Sequence, residues 1–513
     1  MPPLAIVHFA PHLARPLHRL ATCSALAVTL ATAACDYPLR PADPPSALGA
    51  AAAKVGSPSG TLQPWELAYP AAQHEIEGYA SAPSVNKGEP ISIFVRTPSP
   101  RYSVAVYRTG WYSGAGAQLV QGPVDNIPSV SQPACVVTEP ATALFECAWR
   151  SPYVVRTQTS WKSGVYLAKL TAQGRRQDGK SSYVIFVVRD DASTSRFLAQ
   201  LSFNTYQAYN NWGGKSLYDF NSSGSLAAAK VSFNRPYALQ GNVSARGVGA
   251  GEYIADFLPG WDYNLVRFLE REGYDVTYTT DYDVGARPQT LLQHRAFLVL
   301  GHSEYWTMAQ RNAIAAARDA GVNLGVFGAN VGFWQVRFEP SRVGAKTPDR
   351  TMVGYKGNAV ANDPVGPTSQ LLTTRFRSLA DPLPENRLLG VMYGVDPVDA
   401  DIVIDDDTTW VTANTGLVRG SRLAGLLGYE IDFMTEVLNP SHRRIGHSLD
   451  PRSGKYGDMT VYTTASGATV FATGSMQWGW GLDDYGVPDI RASRLSPAAQ
   501  QITRNVLGRL AAP

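Results

Sequence analysis

The sequence predicts an α/β domain built on a central, mostly parallel sheet and preceded by an all-β sandwich. Two textures along the chain predict it. From about residue 74 to 190, short runs (Ile91 to Arg96, Tyr102 to Tyr107, Gly164 to Leu170, Ser182 to Val188) are punctuated by Gly and Pro, as in an antiparallel sandwich. From about Asp191, the runs Phe197 to Phe203, Phe297 to Leu300 and Val322 to Phe327 read as fully buried strands with helix candidates between them. Strands alternating with helices imply parallel pairing, with helices on both faces.

Taken in order, the chain begins with Arg15 and Arg19 ahead of an apolar, small-residue stretch from Leu20 to Ala34, the pattern of an export signal over residues 1–35. Leu30-Ala31-Thr32-Ala33-Ala34-Cys35 resembles a bacterial lipoprotein processing site, with Thr32 departing from the usual pattern. Lipid attachment at Cys35 and plain cleavage nearby both stay open. The protein is thus expected to be exported: periplasmic, anchored to the cell envelope or secreted. Any membrane attachment is expected only through a lipid at Cys35. Residues 36–62, rich in Pro, Ala, Gly and Ser, read as a linker.

The sandwich is expected over 63–190. Within it Cys135 and Cys147, with eleven residues between them, suggest one disulfide closing a hairpin-like loop. The α/β domain is expected over 191–513. Its helix candidates are Leu265 to Glu272, stopped by Gly273, and Thr307 to Asp319, stopped by Gly321. A strand-rich part from about 400 to 485 and a helix from Pro497 to Leu510 close the chain.

Composition excludes some functions. A chain of 513 residues exceeds what one core usually organises, and 45 Lys+Arg stand against 42 Asp+Glu. Without Arg15 and Arg19 the balance is 43 against 42, and no basic run interleaved with aromatics appears, so nucleic acid is not an expected partner.

In an open α/β sheet, ligands sit beyond the carboxyl ends of the strands. That rule selects Tyr209 and Tyr218 after the first buried strand, His302 and Glu304 after the second, and Asn330 after the third. His302 and Glu304, two residues apart on extended backbone, share a face and suit a metal or an acid/base pair. A set of tyrosinate and carboxylate would favour a hard cation such as ferric iron. Singly, each residue also has a structural reading: a loop histidine, a helix-terminal carboxylate, a turn asparagine, two of 25 tyrosines. Asp405-Asp406-Asp407 lacks calcium-loop spacing and reads as a solvated loop. Trp478, Trp480 and Tyr485 could stack on a sugar, although packing beside the sheet is the preferred reading.

The stretch from about 195 to 485 resembles the carboxy-terminal domain of the N,N-dimethylformamidase large (beta) subunit. The motifs are Ala208-Tyr209-Asn210, Ser216-Leu217-Tyr218-Asp219, Asn234-Arg235-Pro236, Gly301-His302-Ser303-Glu304-Tyr305-Trp306, Gly328-Ala329-Asn330 and Gln477-Trp478-Gly479-Trp480-Gly481. Gly110-Trp111-Tyr112 and the Cys135 to Cys147 segment resemble the immunoglobulin-like domain often found before it.

The resemblance implies a mononuclear ferric iron held by Tyr209, Tyr218 and Glu304, with His302 and Asn330 beside it. A further catalytic glutamate is assigned to Glu430 in Gly428-Tyr429-Glu430-Ile431-Asp432. The implied reaction is hydrolysis of a non-peptide C–N bond in a small amide-type substrate. The export signal argues against dimethylformamide itself. A homo-oligomer and a need for a small subunit both stay open. Two alternatives remain: a carbohydrate-active or carbohydrate-binding envelope protein, and a catalytically inactive interaction module on the same fold.

Overall fold

Alternate side chains along a strand point to opposite faces, so a strand apolar at every position needs cover on both. The computed structural model, which describes residues 62–174, 178–238, 250–254, 261–487 and 491–512, shows how that cover is supplied in a mixed, strand-rich α/β fold. Residues 1–35, read as an export signal ending at Cys35, and nearly all of the stretch 36–62 read as a linker lie outside the described residues.

The largest sheet runs in the order Val276–Thr280, Phe197–Leu201, Ala296–Gly301, Asn323–Gly328, Thr469–Ala472, Lys455–Thr463, Arg443–Asp450. Its first five strands are parallel and its last two antiparallel. Phe197, Ala199, Leu201, Leu298 and Leu300 face a cluster that takes in helices Tyr263–Arg271 and Pro497–Leu510. Leu198, Phe297 and Val299 face the other way, onto helix Met308–Asp319. Each fully buried Leu or Phe contributes about 1.5–3 kcal/mol, so the two layers lock the strand exits in place.

Helix ends follow local chemistry. Thr307 and Ser496 cap their helices by accepting from the backbone N–H groups of Gln310 and Ala499, and Pro497 occupies the first turn, where its missing donor costs nothing. Gly273 and Gly321, at φ 73° and 100°, take the left-handed turn after their helices.

The sheet differs from the sequence reading at its first strand. The apolar run Phe197 to Phe203 splits: the strand ends at Leu201, and Phe203–Tyr209 is a helix. Asp281, from a neighbouring segment, accepts from Asn204 N at 3.1 Å through both carboxylate oxygens and satisfies a free donor of the first turn. Hydrophobicity alone does not distinguish a strand that continues from one that turns into a helix.

Before this unit lie a three-stranded sheet (Glu77–Ala80, Pro90–Arg96, Tyr153–Arg156) and a five-stranded one (Ser84–Asn86, Ser181–Arg189, Gly164–Gln173, Arg101–Thr109, Ala117–Pro128). Ile91, Ile93, Val104, Tyr166, Val184 and Phe186 share a core between them. The opposite face of the five-stranded sheet is also covered: Tyr107, Val165, Leu167, Ile185 and Val187 join the cluster around Phe197 and Phe268. Cys135 and Cys147 form a disulfide that closes the hairpin Val136–Glu139/Leu144–Glu146. Among the described residues no helix is long and apolar enough to cross a membrane.

Trp478, Trp480 and Tyr485 are buried, with Trp480 stacked on Trp261 at 5.3 Å between ring centroids, so they offer no face to a sugar. Asp405 pairs with Arg419 and Arg444, and Asp406 bonds to Thr408, so these carboxylates are engaged with protein cations and hydroxyls.

Candidate functional site

Three neighbouring parallel strands end at one rim, and each hands the chain to a segment carrying polar groups. Phe197–Leu201 leads into the short helix that ends on Tyr209. Ala296–Gly301 leads to His302 and Glu304. Gly301 sits at φ 60°, and a Cβ there would lie 2.4 Å from Asp262 Oδ1, so only glycine fits. Asn323–Gly328 leads to Asn330, also left-handed at φ 52° and tied by its backbone N–H to Asp432 Oδ1 at 2.7 Å.

Glu430 comes from outside the sheet. It lies on Arg422–Phe433, paired with Met392–Val403. That ribbon is fastened to the rim where Asp432 N donates to Gly474 O, beside the exit of Asn323–Gly328.

The structure brings the six residues together. Glu304 is the meeting point: Tyr218 Oη donates to its two oxygens at 2.9 and 3.0 Å, and Tyr209 Oη to Oε2 at 3.2 Å. The two phenol rings stack at 4.3 Å between centroids. His302 Nε2 lies between the two carboxylates, 3.4 Å from Glu304 Oε2 and 3.5 Å from Glu430 Oε2. The Asn330 side chain stands beside Glu430 and favours its charged form. His302, Glu304, Asn330 and Glu430 are all buried.

Burial dominates the electrostatics. It pushes the Tyr209 and Tyr218 hydroxyls well above their usual range, and the nearby Glu304 charge adds to this. It likewise raises Glu304, against the pull of His302. Glu430 is raised well above the carboxylate range, first by burial and then by the charge of Asp396.

Left to themselves, then, two phenols and a carboxylate share protons. A highly charged cation would reverse the preference by stabilising the ionised oxygens, and the donor set is compatible with a metal ion held by Tyr209, Tyr218 and Glu304. Three buried polar atoms, His302 Nε2, Asn330 Oδ1 and Glu430 Oε2, have no hydrogen-bond partner, as befits a place where a ligand or water is received. Among the described residues no group of three or more His, Cys, Asp or Glu forms a metal cluster, and the set assembled here relies on phenols instead.

Sequence reasoning did not single out two further groups. Tyr305 Oη donates to Tyr218 Oη at 2.5 Å. Lys356 Nζ lies 3.2 Å from the centroid of the Tyr218 ring and donates to Leu217 O, and burial lowers its pKa to about 7. Tyr305 stands inside the HSEYW motif and could have been found there. Lys356, alone in a turn between Tyr355 and Gly357, has no sequence signature.

With the geometry in place, the comparison is informative. The model of the family described as N,N-dimethylformamidase beta subunit-like, C-terminal, matches residues 103–491. The chain belongs to this family. No curated protein matches the chain. The dimethylformamidase-like match begins within Arg101–Thr109, so it takes in most of the five-stranded sheet as well as the rim. Membership suggests hydrolysis of amide bonds in general as the chemistry.

Asp432, which holds Asn330, supplies a test of the rim. Burial raises its pKa to about 8, against the opposing hydrogen bond from Asn330 N. The native state therefore keeps a proton that the unfolded chain releases near its ordinary value of about 4. This contribution to stability is full below about pH 4 and is lost as the pH rises through 8. Asp432→Asn keeps the acceptor and removes the titration. Denaturant unfolding from pH 5 to 8 should show the variant gaining steadily on the wild type, and a constant difference across that range would rule the account out.

Proposed function

We propose that this chain is a metal-dependent hydrolase of C–N bonds in small amides and formamides. The observation that carries the reading is the convergence of two tyrosine hydroxyls, from positions 209 and 218, on the one carboxylate of Glu304, each within hydrogen-bonding distance of it. Tyr209, Tyr218 and Glu304 would hold ferric iron, a hard ion suited to phenolate and carboxylate oxygen. When bound, it polarises a carbonyl oxygen or acidifies water.

The remaining residues supply proton handling and position. Glu430, whose buried Oε2 accepts no hydrogen bond and faces His302 Nε2 at 3.5 Å, takes a proton from the attacking water as the C–O bond forms. The same carboxyl returns the proton to the nitrogen as the C–N bond breaks, leaving a carboxylic acid and an amine. His302 and Asn330 orient the water or the oxygen on which negative charge develops.

We place this activity outside the cytoplasm, on the leader read in the sequence and on the Cys135–Cys147 disulfide, a bond that persists in oxidising compartments.

The test is spectroscopic. Iron-loaded protein should show a tyrosinate-to-iron charge-transfer band in the visible region, and Tyr209→Phe should weaken and shift it. Colourless, metal-free protein that hydrolyses amides at full rate would eliminate the reading.

A further inference from the structure

The two tyrosines are separated by a loop, residues 210–217, whose shape and seating decide where both hydroxyls point. Shape is set within the α/β unit: the buried Arg235 guanidinium donates to Asn210 O at 2.7 Å, Trp212 O at 2.9 Å and Lys215 O at 2.8 Å. With Asn210 Nδ2 donating to Pro236 O and Ala238 N donating to Asn210 Oδ1, they hold the first half of the loop to the 235–238 segment. A second hold comes from the preceding sheets.

Trp212 is the point of contact. Its Nε1 donates to Glu77 Oε2 at 2.8 Å, while the other oxygen of Glu77 accepts from Arg96 Nη1 at 3.0 Å. Glu77 is buried, on the strand Glu77–Ala80, so its position is not free to follow the loop. Phe145, on the disulfide-closed hairpin, completes the grip. Its ring centroid is 5.8 Å from that of Trp212, and it lies so close over Gly213 that a Cβ there would meet Phe145 Cδ1 at 2.3 Å. Gly213 itself sits at φ 82°, so a glycine is required for both reasons.

The hairpin is pinned in turn by the Cys135–Cys147 bond and by Cys147 N donating to Asn234 O at 2.8 Å, next to Arg235. Tyr209 packs against the cluster of Trp212, Cys147 and Trp149, so this cluster joins Trp212 to the first tyrosine.

We propose that Glu77 and Phe145 are positioning residues for the two-tyrosine loop: the earlier sheets, through Trp212, set where Tyr209 and Tyr218 stand. The assignment rests on packing and hydrogen bonds alone, and only its functional consequence depends on the metal site proposed above. A polar anchor on one edge of the indole and an aromatic ring on the neighbouring backbone leave the loop one seat, which is what a site built from two phenols requires.

Hydrogen–deuterium exchange on metal-free protein tests it, because the loop amides have definite partners, such as Leu217 N on Ala208 O and Gly214 N on Asn211 O. In Phe145→Ala and in Glu77→Ala, exchange over 210–217 should rise at least ten-fold, with exchange in Phe197–Leu201 and Asn323–Gly328 unchanged. Phe145→Leu, which restores bulk over Gly213, should bring the loop back to within about three-fold of wild type. Unchanged loop exchange in both disruptive variants, or a rise spread evenly through the sheet, would overturn the proposal. A ferric-iron titration then adds the functional arm: affinity should fall at least ten-fold in Phe145→Ala and recover in Phe145→Leu. If the wild type binds no iron, the metal reading fails, while the exchange experiment still decides the positioning claim.

Discussion

Glu304→Gln is expected to lower hydrolysis of a small amide by at least about a thousand-fold, equivalent to ~4 kcal/mol of barrier, and to leave the protein without stoichiometric metal. The expectation comes from position. Tyr209 and Tyr218 both donate to this carboxylate, and His302 Nε2 lies 3.4 Å from it. Glutamine preserves volume but brings an N–H group and no charge, so two phenols would face a donor and lose the one anion able to share a cation with them. Folding should not suffer, because the carboxylate is buried and burial already disfavours its charge. The measurement pairs elemental analysis with kcat/KM and a thermal melt. Wild-type metal content with a wild-type rate would remove Glu304 from the site.

Glu430→Gln should separate proton transfer from metal binding. Its carboxylate lies 3.5 Å from His302 Nε2, and Asn330 beside it favours its charged form, whereas the phenols donate to Glu304. A general base contributes about 10²- to 10⁴-fold, so kcat should fall by that range with KM and metal content nearly unchanged. Loss of metal in this variant would make Glu430 part of the binding set, and a rate within a few-fold of wild type would return the base role to another group. Together the two substitutions tell apart a residue that holds the centre and one that works beside it.

Much of this arrangement was legible because strand exits are legible. Phe297 to Leu300 and Val322 to Phe327 announce buried parallel strands by continuous apolarity, and the residues just past each strand must then lie on one rim. Tyr209 and Tyr218 were different. Nothing in a single tyrosine marks it among 25, and only the motifs around these two drew attention to them.

The helix at Phe203–Tyr209 was hidden because its cap, Asp281, lies 77 residues from Asn204 in sequence. Lys356 was hidden for a similar reason, since its importance lies in a ring brought to it by folding. The two-sided burial of the five-stranded sheet does have a signal in the sequence. Val184 to Val188 is apolar at every position, the mark of a strand covered on both faces rather than one.

That double cover also bears on engineering. One apolar cluster runs from Trp65 through Ile185 and Phe268 to Leu510. A chimera joined near 190, taking its earlier strands from one homologue and its rim from another, would press two mismatched dry surfaces together. Swaps that respect this seam must carry everything from Trp65 onward as a block, so recombination among such chains would favour whole-length exchange over shuffling of halves.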